Sequence, residues 1–216
     1  DGSLPDATAL GQMSNSQAAV MRSFGTGGIS ALAGGTMVAL STGRARDEGD
    51  PDFIDPTVGT TFARAGIAPA GYLAAHGGVL PSTACPGGRS SANDSIALRL
   101  VLQAPPDATA LRFDWTFASA DYPDYVCNGG SQFVDFFLAL VQGSSPDLPA
   151  DGNLALVGGN PVSTVFVPFD YCSSCPAGTG GLAGTGYTGH GITVWHTAEI
   201  PVVGGETITL DLMTFD

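Results

Sequence analysis

Apolar residues in this chain recur with a period of two, and that periodicity restricts the fold more than any other feature. In "SIALRLVLQAP", Ile96, Leu98, Leu100 and Leu102 share one face while Arg99 and Gln103 take the other. "LRFDWTF" repeats the pattern, with Leu111, Phe113, Trp115 and Phe117 inward and Arg112, Asp114 and Thr116 outward. "QFVDFFLALV" is apolar on both faces, as a central strand covered on two sides requires. "GTMVALST", "NLALV", "STVFVPF", "GITVWHTAEIPV" and "ETITLDLMTF" bring the set to roughly eight or nine strands separated by Gly, Pro and Asp turns. The expected class is all-β: an antiparallel β-sandwich or jelly roll with long Gly-rich loops.

One short N-terminal helix is predicted in "SNSQAAVMRSFG". Asn15 or Ser16 would be its N-cap, Val20, Met21 and Phe24 would share a face, and Gly25 would stop it. With no internal repeat or linker, residues 17–216 read as a single β-sandwich domain and residues 1–16 as an N-terminal extension. Two Gly-rich stretches, about 43–92 and 171–190, are long enough to wrap the domain or carry function. "ETITLDLMTFD" stops in a strand pattern, so a sandwich lacking its last strand is expected, with an open edge for another chain to cover.

Gly supplies 31 residues, and 44% of the chain is apolar, which places the Gly in turns of a folded protein and not in a disordered chain. Twenty acidic residues against seven basic give a net charge of −13, which disfavours nucleic acid and anionic lipid as partners and favours cations. Every basic residue is Arg. The missing Lys excludes Schiff-base catalysis, lysine isopeptide cross-links and a phosphate-loop lysine. No apolar run reaches the ~18 residues that span a bilayer, so direct membrane insertion is not expected. "DGSLPDATAL" lacks the regions of a signal peptide, and any targeting segment is expected to have been removed already.

Four cysteines, Cys85, Cys127, Cys172 and Cys175, suggest two disulfides formed in an oxidising compartment. Of the three possible pairings, loop lengths favour Cys85 with Cys127 and Cys172 with Cys175. A zinc site would need a second close pair beside "CSSC", and none is present.

Serine elbow, paired-histidine zinc helix, phosphate loop and dinucleotide fingerprint are all absent, and no enzymatic activity is expected. Two acidic clusters are candidate calcium sites, because Asp carboxylates in turns suit a hard cation. Asp47, Asp50, Asp52 and Asp55 lie in "RDEGDPDFIDP", where a solvated loop beside Arg44 and Arg46 is the simpler reading. Asp121 and Asp124 follow the Trp115 strand, and Asp135 stands among apolar neighbours. An ionised carboxylate there costs several kcal/mol unless it is paired or bound. Asp135 is therefore either a calcium ligand or an acceptor for loop amides, and Arg99 or Arg112 would be its ion-pair partner.

These residues carry a resemblance. "LRFDWTFASADYPDYVCNGGSQFVDFFLALV" resembles the core motif of the bacterial choice-of-anchor L domain, and "MVALSTGRARDEGDPDF" and "DGNLALVGGNPVSTVFV" resemble segments on either side of it. The likeness runs over about residues 25–216. It implies secretion or surface display in an adhesive setting, without enzymatic activity. Where that family has paired Glu, this chain has Ala120 and Asp121, and where it has Asn-Asp, this chain has Val134 and Asp135. The family's closing Gly-Asp and Asp-Ser segment and final apolar strand are absent.

The expected function is a secreted or cell-surface structural or adhesive module, calcium-stabilised, assembled into a fibre by strand complementation. Its partners would be other copies of itself or a neighbouring surface protein. The alternative is a calcium-dependent glycan-binding module in which Tyr122, Tyr125, Tyr187 and Trp195 stack on sugars. A hydrolase is a third option without visible machinery.

Overall fold

The computed structural model describes residues 6–10, 16–56, 62–81, 88–126 and 134–216, with residues 6–10 described as backbone only. The chain is all-β and every strand pairing is antiparallel. Its centre is a six-stranded sheet in the order β1 (Asp6–Leu10), β6 (Ile96–Gln103), β14 (Thr207–Phe215), β9 (Phe136–Gln142), β11 (Asn160–Ser163), β10 (Leu156–Val157). Four two-stranded ribbons accompany it. They pair β2 (Ala18–Met21) with β5 (Met37–Leu40), β3 (Ser23–Phe24) with β4 (Ile29–Ser30), β7 (Ala110–Trp115) with β13 (His196–Pro201), and β8 (Ala118–Ser119) with β12 (Gly191–Ile192).

Alternation along β9 and β14 sends side chains to both faces of the sheet, and each face has its own core. Ala139 and Val141 of β9 and Ile208 and Leu210 of β14 pack with Trp115, Ala198 and Ile200 of the β7–β13 ribbon. Phe136, Leu138 and Phe215 point the opposite way, into a second core with Tyr72 and Leu73 of α1 (Ala70–Ala75) and with Leu80 and Ala92. The first Gly-rich stretch thus wraps the back of the sheet, as its length implied. Arg99 and Asp211 face each other across β6 and β14 on that side and form a bidentate pair at 2.7 and 2.8 Å.

Three expectations need correction. The N-terminal helix does not form: residues 18–21 are β2, paired with β5 from Ala18↔Leu40 to Met21↔Met37. Its three apolar residues made a short face, and a partner strand far along the chain overrode that weak local preference. Gly25, expected to stop the helix, instead has a φ of 67° and sits where a Cβ would lie 2.4 Å from the Ala183 carbonyl. "GTMVALST" is a strand, but it is not buried, since Val38 is 53% exposed. The last strand is no sheet edge either. β14 pairs along its length with β6 on one side and β9 on the other.

Part of the N-terminal extension joins the sheet: β1 pairs with β6, Asp6 opposite Val101 and Leu10 opposite Ala97. The domain proper is fastened at Gln17, which is fully buried. Its amide nitrogen donates to the carbonyls of Asp94 at 2.8 Å and of Ser41 and Thr42 at 3.3 Å, and its oxygen accepts from Arg64 at 2.9 Å. Gln17→Ala would strand these groups and is expected to lower stability by about 2 kcal/mol in urea unfolding. A change below about 0.5 kcal/mol would show that the clamp is not structural.

Cys172 and Cys175 form a disulfide with Cα atoms 4.9 Å apart. Cys85 and Cys127 lie outside the described residues, as does their expected pairing.

Candidate functional site

A cavity of about 920 Å³ opens between the β2–β5 ribbon, the β7–β13 ribbon and the front face of the main sheet. Residues 36–46 and 113–121 border it as unbroken runs. Successive side chains of a strand point to opposite faces, so a border that includes both parities is the strand's edge. Among the described residues, β5 pairs only with β2 and β7 only with β13. Their other edges, with unpaired N–H and C=O groups, therefore face one slot.

The floor of the slot is apolar. Phe137 of β9 and Leu212 of β14 lie on the same face as Ala139, Val141 and Leu210. Ala139, Val141 and Leu210 are buried beneath the β7–β13 ribbon, whereas Phe137 and Leu212 stay half-buried in the slot. Both tryptophans of the chain border it: Trp115, packed on Phe137 at 5.7 Å, and Trp195, whose buried indole nitrogen has no hydrogen-bond partner among the described residues. His196 stacks on Trp115 at 4.6 Å, and burial holds it below the usual histidine range against the opposing pull of Asp170.

Asp121, Asp135 and Asp216 also border the slot, with Arg89 and Tyr187. Ser119 donates to Asp135 Oδ2 at 2.5 Å, Thr164 Oγ1 accepts from the Asp135 amide at 3.1 Å, and Asp135 and Asp216 are linked carboxyl to carboxyl. Loss of water raises all three carboxyls above the usual range, most of all Asp135, where repulsion from Asp216 and Asp121 adds to it. Burial and the same carboxylates raise the Tyr187 phenol. Arg89 is the facing cation; its guanidinium also donates to the Val134 carbonyl and lies 5.8 Å from the Phe136 ring centroid. The expected partners serve elsewhere, Arg99 with Asp211 and Arg112 3.8 Å from Asp114. Neither Arg89, in a Gly-rich stretch, nor Asp216 carried a sequence signal of this role.

The other site residues scatter. Asp124 is exposed and does not border the slot. Asp47 accepts from the amides of Gly25 and Gly49, and Asp50 accepts from the amide of Asp47, so these two hold loop backbone. Asp52 takes a left-handed φ of 62°, and its carbonyl accepts from Arg44. Asp55 does not border the slot. Among the described residues, no group of three or more His, Cys, Asp or Glu side chains is arranged to hold a metal ion. Of the four aromatic candidates the slot gathers two, Tyr187 and Trp195. Tyr122 packs on Phe169 with centroids 4.4 Å apart, and Tyr125 stands 55% exposed outside the slot.

Chemically, the slot offers two strand edges that, among the described residues, have no second strand partner, above an apolar floor. Such a space suits an extended polypeptide, which can hydrogen-bond to both walls and cover the floor with alternate side chains. Comparisons with known protein families, with curated proteins and with solved structures find no match for this chain.

Proposed function

We propose that this protein is a secreted, surface-displayed structural module completed by a β-strand from another chain, so that successive modules join into a fibre. The supporting observation is the pair of unpaired edges, β5 and β7, facing one slot over a half-exposed apolar floor. An incoming strand would join the two ribbons into one continuous sheet, each hydrogen bond contributing about 0.5–1.5 kcal/mol net. Because donor and acceptor surfaces differ, the contact is heterologous and extends into a chain of modules without closing. Extracellular placement draws on the disulfide and on the resemblance to the choice-of-anchor L domain.

Electron microscopy and amide exchange on the concentrated, purified chain test this reading. Fibres are expected in which the amides of residues 37–40 and 110–115 exchange far more slowly than in dilute monomer. Monodisperse monomers at high concentration, with no gain of protection at either edge, would overturn it.

Tyr187 and Trp195 in one cavity favour the glycan-binding alternative. A glycan array decides it: saturable sugar binding that is lost in Trp195→Ala, without any assembly, would replace the fibre reading.

A further inference from the structure

The proposed strand-accepting slot leaves open which segment fills it. We infer that the donor is the N-terminal strand Asp6–Leu10 of a second copy of this chain, an inference that rests on the fibre reading above. The arm is an edge strand of the six-stranded sheet and lies ahead of the first buried anchor of the domain, Gln17. Gln17 is tied in through the Asp94, Ser41 and Thr42 carbonyls and Arg64, whereas β1, among the described residues, pairs only with β6 and ends the sheet. On the edge of β6 it has one neighbour. In the slot it would have two, β5 and β7, so transfer to another copy gains a second row of backbone hydrogen bonds.

Length and shape agree with this choice. A strand of five residues spans ~17 Å, close to the slot border offered by residues 113–118. The link that follows the arm, residues 11–16, is six residues long and can span at most roughly 20 Å when extended. The arm sequence alternates small residues, Ala7, Ala9 and Gly11, with Asp6, Thr8 and Leu10. Small side chains on the inward face of a donor strand would suit a floor already made bulky by Phe137 and Leu212. Three of the four groups that clamp Gln17 belong to residues bordering the slot, Ser41, Thr42 and Asp94. The arm of each module therefore leaves beside its own acceptor site, and the same junction can repeat from copy to copy.

The test uses the full chain and a fluorescent peptide of its residues 1–15. The peptide should bind the full chain, shift the emission of Trp115 and Trp195 to the blue, and shorten existing fibres by occupying free slots. A full-length variant with Ala7→Pro and Ala9→Pro should need at least tenfold more protein to assemble, yet still bind the wild-type peptide. That binding also shows that the variant is folded. If the proline variant assembles like its parent and the β5 and β7 amides gain protection, a different segment fills the slot; the donor assignment falls and the fibre reading stands. Blue-shifted tryptophan emission in a chain that stays monomeric would place the arm in its own slot and overturn the exchange. A parent chain that neither assembles nor protects those amides would remove the fibre reading itself.

Discussion

Replacing Phe136 by alanine is expected to destabilise the domain by about 3–5 kcal/mol, the usual cost of emptying a large aromatic site in a packed core. Phe136 is 1% exposed and heads β9 on the back face of the sheet. Its ring stacks on Phe215 at 5.4 Å, close to the end of β14, and Arg89 lies over it. Truncation would leave Phe215 without its partner and Arg89 without the surface that orients it beside the carboxyl cluster. Neighbours can do little to collapse into the gap, because they come from separate segments: α1, Leu80, Ala92 and two strands. Most single domains are stable by 5–15 kcal/mol, so the loss takes a large share of the total. Chemical unfolding of the variant measures it. A loss below about 1 kcal/mol would mean that the back core is loosely packed and that the wrap over it is not a structural layer.

Mild acidification is expected to stabilise the protein, the reverse of the usual behaviour of a domain held by paired carboxylates. Asp121, Asp135 and Asp216 all have folded pKa values raised above the unfolded value, chiefly by loss of water, with Asp216 also repelling Asp121 and Asp135. Asp94 adds to the repulsion at Asp216; Arg89 relieves Asp121 and Asp216, and His190 relieves Asp121. Between the unfolded pKa, about 4, and the raised folded values, the folded chain keeps protons that the unfolded chain has released. Stability is therefore greatest below that window and falls as pH rises through the folded pKa values. Each pKa unit of difference corresponds to about 1.4 kcal/mol. The melting temperature is expected to be higher near the acid end of the window than at pH 8. Asp135→Asn keeps a hydrogen-bonding group of the same shape without the charge, so it should flatten the profile and equal or exceed the parent at pH 8. A parent that loses stability steadily from pH 8 downward, or a variant weaker than the parent at pH 8, would overturn this account. Repeating the titration with calcium separates protons from metal as the compensating charge, because calcium held by the cluster would stabilise the chain at high pH and compete with acid.

Four of the long strands were legible because the residues that bury them repeat every second position. β6, β7, β9 and β14 fall where the alternation places them, and the two-faced apolar character of "QFVDFFLALV" announced a central strand with cores on both sides. Residues 18–21 were misread because three apolar residues in so short a run fit a helix face as well as a strand, and only pairing with residues 37–40 decides between them. "STVFVPF" was β-rich in composition, yet the strand there is Asn160–Ser163 and the rest turns away. Asp135 stood out as a lone carboxylate beside an apolar strand. Its companions did not, because Arg89 and Asp216 reach it from distant segments. The slot itself left no local trace. An unpaired edge is a property of topology, and β5 and β7 look in sequence like any other strands.

The position of β14 also bears on how such a module would carry load. Eight of its nine residues pair with β6 along one side and seven with β9 along the other. Backbone hydrogen bonds in antiparallel sheets run perpendicular to the strands, so tension along β14 loads both ladders in shear. Such a strand must break many bonds together before it slides, whereas a ribbon pulled apart sideways opens one bond at a time. A pull along β14 would therefore meet resistance from the whole sheet at once, and the two-stranded ribbons at the front would be the first parts to yield.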